Sequence, residues 1–178
     1  MVMRILWTVV ATAGLATGQQ GNPLTDQVMA RYKQIKLSLL DSAEVMPEQH
    51  YGFRLTPGQR TYGEWIAHAA VGNYGYCAAI RGVKTPQTGP ILAMTGKAEL
   101  SKALLESFQY CDEALVGMTD AKAMKGIAIG ERTVYPVTGM VNLAASQNEH
   151  YGNIVGYLRS KGIVPPSTVR AKQGKGNK

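Results

Sequence analysis

This 178-residue chain is poor in charge, in cysteine and in histidine: charged residues make up 17% of it, and it has two cysteines and three histidines. Each scarcity excludes something. With 45% hydrophobic residues beside so little charge, the composition fits a single soluble domain large enough to bury a real core, and nothing marks a second. Gly-rich phosphate loops, a Ser-His-Asp order and paired catalytic carboxylates are missing in recognisable form, which removes the nucleotide-binding and serine-hydrolase signatures. No stretch has the alternating pattern of a convincing strand.

The chain also lacks an apolar run long enough to span a bilayer. The uncharged segment from Ile5 to Leu15 follows the short basic start Met1 to Arg4 and precedes Ala16-Thr17-Gly18, an order that predicts a signal peptide over residues 1–18. Export to the periplasm or medium is therefore expected. No cysteine follows the apolar run, so neither a lipid anchor nor a stable membrane anchor after cleavage is expected.

The formal net charge of +7 suggests a polyanionic partner until its location is considered. Arg170, Lys172, Lys175 and Lys178 lie in an acid-free tail and Arg4 in the signal, so 19 basic residues less these five leaves 14 against 12 acids, about +2. The tail RAKQGKGNK is Gly-rich and polar, and residues 167–178 are expected to be disordered. No basic stripe interleaves with exposed aromatics, so no nucleic-acid partner is expected.

What is present is helical periodicity. A first helix opens at Asn22-Pro23 and carries Leu24, Val28, Ile35, Leu39 and Met46 before Pro47 stops it. A second opens on a capping box, Thr61 with Glu64, and runs to Arg81 with Gly82 as its stop; its inward face reads Trp65, Ile66, Ala69, Asn73, Cys77, Ile80. The third, Lys97 to Met118, repeats Leu100, Leu104, Phe108, Cys111 and Leu115. The fourth starts near Thr138 and ends at Lys161-Gly162. The expected fold class is thus all-α, a four-helix bundle over residues 22–166.

The link between the second and third helices is about fifteen residues and contains Pro86, Gly89 and Pro90, enough to cross the bundle. Cys77 and Cys111 sit at matched depths in those helices if the two run parallel, and would be offset by about 14 Å if antiparallel. Parallel second and third helices make the bundle up-down-down-up. A disulfide, two small buried apolar residues and a reactive thiol all remain open for the pair. The segment Thr119 to Val137 either covers a cavity or connects two helices.

The chemistry-bearing stretch is NEHYGNIVGYLRSKGIVPP, which puts His150 in the middle of an apolar helical face where a buried imidazole invites a metal. The residue four before it, the natural second ligand on the same face, is Ser146. The blocks LLDSAEVMPEQHYGFRLTPGQRTYGEWIAHAA, NYGYC, SFQYCDEAL and NEHYGNIVGYLRSKGIVPP, in this order, give a chain that resembles the DinB-like superfamily from about Leu24 to Pro166. The resemblance implies a thiol-dependent metalloenzyme fold with a zinc or nickel site, acting as a metal-dependent hydrolase or thiol transferase. It also implies association with stress and homodimerisation through exposed bundle faces.

Such proteins hold their metal with one histidine of helix two and two of helix four at H-x-x-x-H spacing. His68 matches the first and His150 the last, while Ser146 departs from the pattern at the middle position. A hydroxyl is a poor ligand beside two imidazoles, so a weakened site at His68, His150 and Ser146 is expected. Glu149 or His50, folded over the bundle mouth, would be a substitute ligand, and Ser146 holding a metal-bound water is a third route. The alternative is a non-catalytic bundle that binds a small molecule without metal, its histidines hydrogen-bonded to each other, to Ser146 or to Asn142. Tyr74, Tyr76, Tyr151 and Tyr157 either line a pocket mouth or pack with their hydroxyls toward water.

Overall fold

The structure, a computed structural model, describes residues 21–176; the expected signal peptide at 1–18 lies outside the described residues. The four expected helices are α1 (Pro23–Val45), α2 (Tyr62–Arg81), α4 (Lys97–Leu115) and α6 (Pro136–Ser160). Between and after them come α3 (Gly89–Leu92), α5 (Asp120–Ala123), the two strands β1 (Ile127–Ile129) and β2 (Arg132–Val134), and α7 (Pro166–Gly176). No helix of the described residues is long and apolar enough to cross a membrane.

Long-range contacts set the direction of each helix. Gly63 of α2 lies against Leu100 of α4, Asn73 bonds Ser107, and Cys77 joins Cys111, so partners advance together and the two helices are parallel. Between α1 and α4 the order reverses: the Tyr32 hydroxyl donates to Asp112 at 2.8 Å, while Lys97 reaches the Glu44 carbonyl. Between α2 and α6 it also reverses, Tyr157 meeting Trp65 and Gly139 meeting Ile80. The bundle is therefore up-down-down-up, with the α2–α4 link as its crossover.

Local chemistry explains where α2 begins and how closely it is approached. The Thr61 hydroxyl accepts from the Glu64 amide at 3.0 Å and the Glu64 carboxylate accepts from the Thr61 amide at 2.7 Å, the reciprocal cap expected. Gly82 follows with φ +66 and closes the helix in the left-handed region. On α6, a Cβ at Gly139 would sit 2.7 Å from Ile80 Cγ1 and 3.1 Å from the Tyr76 carbonyl, so the α2–α6 contact requires glycine there.

The core is one layer of side chains shared by all four long helices. Leu39, Ile66, Leu100, Leu104, Phe108, Met140, Leu143, Ile154 and Leu158 are buried in it, each contributing roughly 1.5–3 kcal/mol by burial. Buried tyrosine hydroxyls are satisfied by backbone: Tyr62 donates to the Ser42 carbonyl and Tyr51 to the Ala43 carbonyl, both at 2.6 Å.

Three expectations are corrected. Asn22 does not cap α1 with its side chain; the free amides of Leu24 and Thr25 donate instead to the Asp120 carboxylate, at 3.2 and 2.7 Å. Asn22 Oδ1 in turn accepts from the Asp120 amide at 3.0 Å. This exchange ties Thr119 to Val137 to the start of α1, and that segment holds α5 and an antiparallel hairpin. The tail expected to be disordered from residue 167 is helical to Gly176, because Arg170 pairs with Asp41 and donates to Ser38 Oγ at 2.6 Å. Composition registered its glycines and cations but not these partners. The third expected helix also ends three residues sooner, at Leu115, where Val116 leaves the helical region with ψ 127.

Cys77 and Cys111 form a disulfide with a Cα–Cα distance of 5.2 Å, and both are fully buried. It closes a loop with a sequence separation of 34, for which chain entropy gives about 3–4 kcal/mol. Replacing both cysteines by alanine should lower the free energy of urea unfolding by that amount without altering helix content in circular dichroism. Coincident unfolding curves for the two proteins would show that the bond contributes nothing.

Candidate functional site

The inward faces of α2 and α6 meet at an unusual number of polar side chains for a bundle core. Asn73, Ser107 and Gln147 are fully buried and His150 is 4% exposed. Buried polar groups are tolerated only when bonded, and these bond to one another. His150 Nδ1 lies 3.3 Å from Gln147 Oε1. The Gln147 amide nitrogen donates to the Ala69 carbonyl at 3.0 Å and to Asn73 Oδ1 at 2.8 Å. The Asn73 amide nitrogen donates to Ser107 Oγ at 2.9 Å, and Ser107 donates to the Leu104 carbonyl at 2.7 Å.

The polarity of this chain of bonds is fixed at both ends. A backbone carbonyl only accepts, so Ala69 orients the Gln147 amide and Leu104 orients the Ser107 hydroxyl. Gln147 Oε1 must then face His150 as an acceptor, and Nδ1 of the imidazole must carry the proton. Nε2 is left as a bare lone pair. It meets Ser146 Oγ at 3.4 Å, a long contact in which the hydroxyl donates.

His68 completes the cluster, its ring centroid 4.8 Å from that of His150 and the two planes inclined by 62°. Trp65 walls it, with centroids 6.0 Å from His68 and 5.8 Å from His150. The Arg60 guanidinium carbon lies 5.0 Å from the Trp65 ring centroid, and Trp65 Nε1 donates to the Tyr157 hydroxyl at 3.3 Å. Burial pushes the His150 pKa down to about 4, with His68 and Arg60 adding repulsion. Burial and Arg60 also lower His68, against a small opposing pull from Glu149. Both imidazoles are neutral at pH 7, the form that ligates metal.

His68, His150 and Ser146 are thus brought together. The substitute ligands are not: among the described residues no three His, Cys, Asp or Glu side chains converge on a metal-sized site, so neither Glu149 nor His50 supplies a third donor. Glu149 is exposed on the neighbouring face of α6 and His50 ends the 3-10 turn Glu48–His50. Asn142 is exposed and does not reach the histidines. Three of the four tyrosines lie apart: Tyr157 is buried under Trp65, Tyr151 bonds Ser167, and Tyr74 packs on Tyr110, while the Tyr76 ring approaches Gly72 as Gln147 and His150 do.

Gln147, Ser107 and Arg60 join the site without being singled out in the sequence, and Asn73 is expected on the inward face of α2 but not in the site. A signal existed for Gln147 and Ser107, since both stand on otherwise apolar helical stripes. The donor set fits a divalent ion only loosely. Two neutral imidazoles are good donors and one lone pair is held ready by an outer hydrogen bond, but the third position is a hydroxyl and a guanidinium stands close by.

No protein-family model matches the chain, and no curated protein matches it. Among solved structures it is similar to a DinB-like protein from Bacillus cereus, with a TM-score of 0.64 and 17% identity over 79% of this chain and 95% of that one. At that identity the likeness shows the fold, and the chain has the DinB-like fold.

The depressed pKa of His150 gives a signed prediction. The unfolded state takes up the proton near pH 6.5 and the folded state only near 4, so the unfolded state binds more protons in this window and stability falls as pH drops through it. The loss attributable to His150 should reach on the order of 3 kcal/mol at pH 4. His150→Gln should remove that part of the slope in urea unfolding measured from pH 7 to 4. Separately, Gln147→Leu leaves Asn73 Oδ1 and His150 Nδ1 without partners and should cost about 2–4 kcal/mol, whereas Asn148→Leu, one position away and bonded only to a helix carbonyl, should cost far less.

Proposed function

We propose that this chain, a bundle of the DinB-like fold, is an exported protein that holds a divalent ion weakly between His68 and His150. The observation that supports this most is the Gln147 bond, which holds the His150 proton on Nδ1 and leaves Nε2 bare on a ring packed beside His68. A ring nitrogen fixed by an outer acceptor is the usual arrangement behind a histidine ligand. Export is supported by the buried disulfide, a bond that persists in oxidising compartments, and by the signal-like first eighteen residues.

His68 and His150 would hold the ion, and Ser146 would orient a water beside it through its hydroxyl. A zinc or nickel ion in such a site lowers the pKa of bound water and so supplies a nucleophile near neutral pH. The chain's own residues prepare the ground: Trp65 excludes solvent from one side, burial keeps both imidazoles neutral, and the bonds through Asn73 to Ser107 hold Gln147 in one orientation. Arg60 works against a cation, since its charge lowers both histidine pKa values. With two strong donors and an opposing charge, binding is weak, and hydrolysis or thiol transfer is a secondary possibility of the same site. The alternative, a metal-free bundle that binds a small molecule, is favoured by the same guanidinium and by the hydroxyl at position 146.

Calorimetric zinc and nickel titrations of the untagged protein separate the two. The metal reading expects weak one-to-one binding that disappears in both His68→Ala and His150→Ala. Ser146→His, which adds a third imidazole one turn from His150, should tighten it by about 100-fold or more. If the parent protein binds no ion and Ser146→His binds none, the residues do not form a site and the metal-free bundle stands.

A further inference from the structure

Away from the histidines, α1 and α6 leave a groove on the bundle surface whose two ends differ in chemistry. Toward the start of α1 it is apolar, about 370 Å³ walled by Val28, Val141, Ala144 and Ala145. It continues past Arg31 and Asn148, which line both parts, into a polar section of about 570 Å³ formed with Gln34, Tyr151, Ser167 and Arg170. From Val141 to Tyr151 is ten residues of α6, about 15 Å at 1.5 Å per residue.

The polar end exists because α7 folds. Ser167 and Arg170 come from α7, held by the bond from the Tyr151 hydroxyl to Ser167 Oγ at 2.7 Å and by the pairing of Arg170 with Asp41. Two guanidinium groups line the groove and no carboxylate does. Arg170 is partly neutralised by Asp41; Arg31 is exposed and makes no ion pair among the described residues. An uncompensated cation with the Ser167 hydroxyl and the Gln34 amide in the same groove suits an oxyanion. The adjoining wall of valine and alanine, with Val141 47% exposed, suits an alkyl chain.

We propose that the α1–α6–α7 groove binds a single-chain anionic amphiphile of the fatty-acid class. The carboxylate lies between Arg31 and the Ser167–Arg170 edge of α7, and the alkyl chain runs along Val28, Ala145 and Val141. Charge complementarity selects the sign of the headgroup and the apolar floor selects the tail, so neither part binds well alone. The groove does not share a side chain with the histidine cluster, and loss of metal binding leaves this site intact.

The test is calorimetric titration of the full chain with decanoate below its micelle concentration. Acetate, 1-decanol and decyltrimethylammonium serve as comparators. Arg31→Gln and Val141→Asp alter exposed side chains, and their folding is checked by circular dichroism. Saturable one-to-one decanoate binding is expected, weakened about tenfold or more in each variant, unchanged in His150→Ala, and not matched by any comparator. The proposal is overturned if decanoate does not bind, if both variants bind it as the parent does, or if the cationic homologue or acetate binds equally well.

Discussion

The amide of Gln147 is the point on which the interior of this bundle turns. It spans α6 and α2, giving both of its hydrogens to α2 and its oxygen to His150. A buried amide that met none of these partners would be expensive, so the interaction dictates the register between the two helices as well as the proton position on the imidazole. Gly139, where no Cβ fits against Ile80, brings the same helices close enough for the amide to reach. Structure and prospective chemistry therefore rest on one side chain: the bond that satisfies the core also leaves a lone pair on Nε2 of the imidazole packed beside His68.

The same layer is fastened to α4. Asn73 bonds Ser107, and one turn further along both helices Cys77 is joined to Cys111. The crossover topology makes this possible, since only parallel helices place these pairs side by side in the same order. The disulfide resists separation of α2 from α4 in the unfolded chain, and the polar bonds specify their alignment in the folded one. A bundle braced in this way can keep imidazoles neutral in its interior, because burial is the first cause of the low His150 pKa and burial is sustained by packing.

Much of the architecture was legible in the sequence. The stripes of Leu100, Leu104, Phe108 and Cys111, the Thr61–Glu64 cap and the matched cysteine depths are local patterns with a fixed period, and they carry helix identity and direction directly. The partner of Asp120 and the ordering of α7 were not legible, because both depend on contacts nearly a hundred or more residues apart in the chain. At the site, His68, Ser146 and His150 could be placed on one cluster from spacing and resemblance. The role of Gln147 could not, since its place on the apolar stripe of α6 marks it as inward-facing but does not name its partners on α2.

If the account is right, the state of His150 is the quantity that matters most, and nitrogen-15 NMR of the imidazole side chains in the metal-free protein at pH 7 reads it directly. A neutral ring protonated on Nδ1, with a bare Nε2, is the predicted result. A ring protonated on Nε2, or a charged ring at that pH, would contradict the hydrogen-bond chain from Leu104 to His150 and with it the basis for a metal-ready pair.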